Sequence, residues 1–119
     1  MENREKLRIF AGILLIISAI THVSQIFFYG TDWHTIGAAI YGSGYAVLGI
    51  LLIYFREKKI LDLLCIIILT IGGTLGFIRF IIVLTTENIF NVLNLFHVFV
   101  DIIVVPICIY SYLKLKEKD

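Results

Sequence analysis

The chain has one proline, two cysteines and no long polar stretch among its 119 residues. Without a polar stretch there is no linker and no separate soluble domain, so the sequence reads as one domain. Cys65 and Cys108 are far apart and lack C-x-x-C spacing, which argues against a redox pair or a zinc site and leaves a structural role. No P-loop, no G-x-G-x-x-G and no H-E-x-x-H occurs, so none of the usual phosphate, dinucleotide or zinc-protease signatures is present. No internal repeat or low-complexity segment stands out. Lysine and arginine are also missing from two short segments, around 30–35 and 86–88.

What fills the chain instead is apolar. Hydrophobic residues make up 60%, against about 45–50% in soluble domains, and the mean hydropathy is +0.98. Four apolar runs cover 9–29, 36–55, 60–85 and 89–113. Each approaches or exceeds the roughly 20 residues that cross a bilayer as a helix. Backbone groups in lipid must be satisfied within the segment, and runs of this length are not barrel strands. Short connections make neighbouring helices antiparallel. The predicted fold is all-α: an integral membrane four-helix bundle, up-down-up-down. The first run follows Arg4, Lys6 and Arg8 as a signal peptide would. It is longer than a signal core and no A-x-A site follows, so it reads as a retained helix.

Nine basic residues flank the N-terminus, the 2–3 connection or the C-terminus, and the two other connections have none. This asymmetry predicts a multi-pass protein of the cell membrane with both termini cytoplasmic. The basic inner face suits anionic lipid headgroups rather than nucleic acid. Glu57 and Asp62, beside those basic residues, read as solvated charges.

The tenth basic residue, Arg79, lies inside the third run. An arginine at the centre of a membrane helix costs about 2.5–3.5 kcal/mol and marks a function by default. Asp101 is the one acidic residue well inside an apolar run, so an Arg79–Asp101 pair is expected. It would either fix the register of two helices or serve ligand binding or proton relay. Counting 1.5 Å per residue from the predicted helix ends puts His22, Arg79 and His97 at roughly the same depth, about 10 Å below one surface. Tyr41 is near that depth, with Tyr45 and Asp101 one turn deeper. The faces agree too. Ser18, His22 and Gln25 form one stripe; Gly37, Tyr41 and Tyr45 another; Gly72, Gly76 and Arg79 a third; Asn94, His97 and Asp101 a fourth. Polar residues in membrane helices turn inward, so His22, Tyr41, Tyr45, Arg79, Asn94, His97 and Asp101 are the candidate ligand-binding residues of a pocket in the outer half. The same residue types also serve as interhelical glue.

His97 and Asp101, four apart, suit a proton shuttle or a metal or haem ligand, with His22 as a second ligand; the spacings of a specific metal or haem motif are missing. Gly72-xxx-Gly76, and Gly42 with Gly49, suit close helix approach. Trp33 and Tyr29 read as an interfacial aromatic belt and His34 as a surface residue. Pro106 should kink the fourth helix.

Leu7-Arg8, Gly12 and His22 come in the first helix, then Tyr45-x-x-x-Gly49 and the loop Arg56-Glu57-Lys58-Lys59. Gly72-Gly73-x-x-Gly76-x-x-Arg79 and the Asp101 and Pro106 pair follow. Together they resemble the DoxX-like small four-helix membrane proteins, with Asp101 where that pattern leads one to expect glutamate. The resemblance implies the four-helix fold and, for some members, an association with quinone-linked oxidoreductases. Three functions fit. One is binding of a small hydrophobic ligand, quinone or lipid-derived, or a redox-accessory role. The second is a non-catalytic subunit of a larger membrane complex. The third is a small transporter working as a homo-oligomer, a dimer. Neither a reaction nor a cofactor is specified.

Overall fold

The computed structural model describes residues 1–118. Four helices follow one another: α1 Asn3–Tyr29, α2 Trp33–Tyr54, α3 Lys59–Thr86 and α4 Val92–Lys116. All four are long and apolar enough to cross a membrane. The longest dimension, 49 Å, slightly exceeds a bilayer with its headgroup layers, about 40–45 Å.

The ends show why the helices start and stop there. α1 begins at Asn3, earlier than expected, because Glu2 and Glu5 form a reciprocal capping box. α2 starts behind Asp32, whose carboxylate accepts the Thr35 amide at 2.9 Å. α4 starts at Val92 rather than 89, because Asn91 caps it by accepting the Asn94 amide at 2.9 Å. Pro106 lies on the exposed side of α4, and the helix continues through it.

α1 packs along α2, α3 along α4, and α1 along α4, whereas α2 and α3 touch sparingly. Around the bundle the order is therefore α2, α1, α4, α3, with the α2–α3 side open. Glycines set the tight side. A Cβ on Gly12 would stand 2.7 Å from the Gly49 carbonyl, and one on Gly49 would stand 2.5 Å from the Gly12 carbonyl. Here α1 and α2 pass backbone against backbone, the close approach expected of small residues. Gly42 likewise admits the His22 ring against α2.

The end of the bundle that carries the 2–3 loop holds the buried ion pair. Arg8 Nη1 lies 2.6 Å from Asp62 Oδ2, with Arg8 1% and Asp62 0% exposed. Arg8 also donates to the carbonyls of Leu52, Phe55 and Lys58 at 3.0, 2.7 and 3.1 Å. Leu52 is among the last four residues of α2, whose carbonyls have no helical partner, while the Phe55 and Lys58 carbonyls also accept the Lys58 and Leu61 amides at 3.4 and 3.2 Å. Ser111 Oγ completes the cluster by donating to Asp62 Oδ2 at 2.9 Å. Asp62 is thus no solvated charge; one arginine on α1 ties together all four helices at the end that carries the 2–3 loop. Arg4, one turn earlier, meets Glu57 at 2.7 Å. The reading of Glu57 as an exposed charge stands, at 62% exposure.

Candidate functional site: a cleft between α2 and α3

Because α2 and α3 diverge, the half of the bundle that carries the 1–2 and 3–4 loops contains a cleft of about 540 Å³. Leu75, Ile78 and Ile82 of α3 line it and are exposed, as are Asp32, Trp33, His34 and Glu87 at the loops, so the cleft is open sideways between the sparsely packed α2 and α3 and at the loop end. Gly37 on α2 forms part of the opposite wall, and a Cβ there would meet nothing within 4 Å.

Four of the seven residues expected from sequence line this cleft: His22, Tyr41, Arg79 and Asn94. The other three, Tyr45, His97 and Asp101, are buried and lie outside its lining. They touch the lining layer from behind. The His22 and His97 rings stack with centroids 3.4 Å apart and planes 9° apart. The Tyr45 ring stands edge-on to His22 at 5.6 Å and to Tyr41 at 6.0 Å. The matched depth read from the sequence therefore corresponds to a connected layer of rings from α1, α2 and α4.

Within the layer most polar atoms already have protein partners. His22 Nδ1 meets the Ser18 carbonyl at 2.8 Å, and His97 Nε2 meets Thr21 Oγ1 at 2.7 Å. Tyr41 donates to the Ile68 carbonyl at 2.6 Å, and Tyr45 to Asp101 Oδ2 at 3.4 Å. The tyrosine hydroxyls, expected as ligand donors, are thus engaged inside the bundle. The stacked histidines leave no gap for a porphyrin between them, so the bis-histidine haem arrangement does not fit. Among the described residues no group of three or more His, Cys, Asp or Glu is placed to hold a metal ion.

The Arg79–Asp101 pair is not formed. Arg79 Nη2 instead donates to the buried Thr35 hydroxyl at 3.4 Å. The reason lies in the helical faces of α3. Gly73 is the residue set against Asp101, while Gly72 lies against Tyr41 and Tyr45 of α2. Arg79 is seven residues beyond Gly72, two turns along the same α2-directed face. The Gly72-xxx-Gly76 pattern accordingly seats side chains rather than a helix backbone. Gly72 clears the two tyrosines, and Gly76 offers its carbonyl to Asn94 Nδ2 at 3.0 Å.

Sequence reasoning missed part of the lining. Asp32, Trp33, His34 and Glu87 stand at the end of the cleft nearest the 1–2 and 3–4 loops, and Gln25 lines it from α1. Trp33 and His34, expected at the membrane surface, have ring centroids 3.6 Å apart with planes tilted by 34°, and both border the cleft. Gln25 was visible on the His22 stripe. The loop residues carried no helical periodicity that could have assigned them. The Thr35 amide, joined by the Thr35 hydroxyl and the field of Arg79, holds the Asp32 carboxyl below the usual carboxylate range. Arg79, Asp32 and Thr35 thus form one polar group at the start of α2.

No protein-family model, no curated protein and no solved structure matches the chain.

Proposed function

We propose that this is a multi-pass protein of the cell membrane, with both termini in the cytoplasm, whose outer-half cleft binds one amphiphilic small molecule of the quinone or lipid-derived class. The observation that carries this reading is the sideways opening of a 540 Å³ cleft beside Arg79, Asn94 and His22. Small-molecule sites commonly enclose about 300–1,000 Å³, with apolar walls and a few placed polar groups. Leu75, Ile78 and Ile82 supply such a wall, continuous with the lipid-facing surface. An amphiphile slides in from the bilayer, leaves its tail between α2 and α3, and brings its head to Arg79 and Asn94. Arg79 makes one long hydrogen bond to Thr35, and its remaining donors suit a carbonyl or anionic head. Nothing in this arrangement requires a reaction; binding is the activity proposed.

Trp33 is the only tryptophan of the chain and borders the cleft. Its fluorescence therefore reports occupancy. Titration of the protein in lipid nanodiscs with decylubiquinone should give saturable quenching. Arg79→Gln should weaken it and Gly37→Phe, which fills the open wall, should abolish it. Non-saturable quenching, unchanged by both substitutions, rules out the cleft as the binding site. A long-chain fatty acid that displaces the quinone would place the ligand in the lipid-derived class.

A further inference from the structure

Behind the ring layer, midway along α4, lies a carboxyl group with no opposite charge. Asp101 is 6% exposed. Among the described residues its carboxylate takes part in no ion pair. Oδ1 has no hydrogen-bond partner, and Oδ2 receives only the long contact from Tyr45. The titratable groups around it are His22 on α1, Tyr41 and Tyr45 on α2, Cys65 deeper on α3, and His97 one turn away on α4. α3 sets Gly73 against it, and Arg79 is turned to Thr35. None of these is a permanent cation beside the carboxyl. Asp62, near the 2–3 loop, differs in having partners, because Arg8 Nη1 lies 2.6 Å from its Oδ2 and Ser111 donates to the same oxygen.

We propose that Asp101 is a proton-binding site, held as the neutral acid in the resting protein, which exchanges its proton with the cleft and not with the inner face. A buried, unpaired carboxylate is so costly that the group takes up a proton instead. The geometry supplies the route. The Tyr45 hydroxyl touches Asp101 and lies against Gly72, a lining residue of the cleft, so this one hydroxyl stands between the carboxyl and the cleft. His97 Nδ1, on a residue 4% exposed, also lacks a partner, one turn from Asp101 on the same face; the other two such buried atoms among the described residues, Arg4 Nε and Asp62 Oδ1, lie at the opposite end of the bundle. Toward the inner face the route stops. The next buried residue on that side of α4 is Val104, packed with Leu52 and Leu69. Cys108 follows, seven residues or roughly 10 Å from Asp101.

The inference rests on the cleft of the proposed function as the route but needs no ligand in it. Infrared difference spectroscopy of the whole protein in nanodiscs tests it. At neutral pH the wild type should show a protonated-carboxyl C=O band that shifts in D₂O. The band should vanish in Asp101→Asn and persist at a displaced frequency in Asp101→Glu, which retains the acid. Tyr45→Phe should shift the band by removing its one hydrogen bond, and Gly37→Phe should slow the deuterium shift by filling the cleft. Absence of the band in the wild type, its survival in Asp101→Asn, or an unchanged exchange rate in Gly37→Phe overturns the proposal. Trp33 quenching is read on the same samples. A band with these properties but no saturable quenching refutes the ligand and upholds the proton site.

Discussion

Arg8, rather than Arg79, is the arginine with a buried counter-charge, and the two show how one residue type serves different ends of a bundle. Arg8 spends its donors on Asp62 and on carbonyls at the end of α2. Removing one member of such a pair leaves the other buried and uncompensated, at a typical cost of about 3–5 kcal/mol. Arg8→Leu and Asp62→Asn are each expected to destabilise the protein by that order, measured by reversible unfolding in mixed micelles with far-ultraviolet circular dichroism. The double substitution Arg8→Met with Asp62→Leu should lose less than the sum of the two single losses, because it removes both charges together. Single variants as stable as the wild type would show the pair to be idle. Asp32 gives a pH-dependent counterpart. Its carboxyl is held below the usual value of 3.8 by the Thr35 amide, so the ionised group binds the native state more tightly than the unfolded one. Its contribution is complete above that value and disappears as pH falls through the lowered one. Thermal midpoints measured from pH 5 downward should therefore fall less in Asp32→Asn, which keeps a capping oxygen without a titratable proton, than in the wild type.

At the level of elements, glycines decide which helices touch and which stand apart. Gly12 and Gly49 bring the α1 and α2 backbones together, so Gly49→Val must force the helices apart against a carbonyl that cannot move aside. Loss of stability and a looser α1–α2 hairpin are expected, read as faster amide exchange along both helices. Gly44, on the same helix, has nothing within 4 Å of a built Cβ. Gly44→Ala should stabilise α2 by about 0.5–1 kcal/mol, the ordinary helix preference for alanine. If both substitutions behave alike, the close contact is not where the structure places it. α3 shows the complementary use of glycine. Gly72 and Gly73 make room for Tyr45, Tyr41 and Asp101, so the divergence of α2 from α3 is filled near the middle of the bundle by side chains and is left open above them.

The whole molecule is a 49 Å bundle with one tight side and one open side. Its charge segregation gives the topology a direct test. Cys65 and Cys108 are 0% and 1% exposed, which leaves little background for thiol labelling. A membrane-impermeant maleimide applied to intact cells should label Thr86→Cys and spare Lys116→Cys until the membrane is opened. The reverse pattern refutes cytoplasmic termini.

Helix number, helix type and connection order were all legible in the chain itself. Long apolar runs have one way to satisfy their backbone in lipid, and that requirement acts within each segment. The polar layer was legible for the same reason, since depth and face along one helix follow from rise and period alone. Which helices pair, and which charges meet, depended on tertiary structure. The contact of Gly12 with Gly49 and the separation of α2 from α3 are relations between segments, and no period in one run encodes the rotation of another. Arg8 shows the limit most directly. In the sequence it is a flanking basic residue at the start of an apolar run, and Asp62 is its acidic counterpart at the start of another. Only when α1 crosses the end of α2 beside α3 and α4 do their side chains find each other, and only then is Asp101 left without a cation.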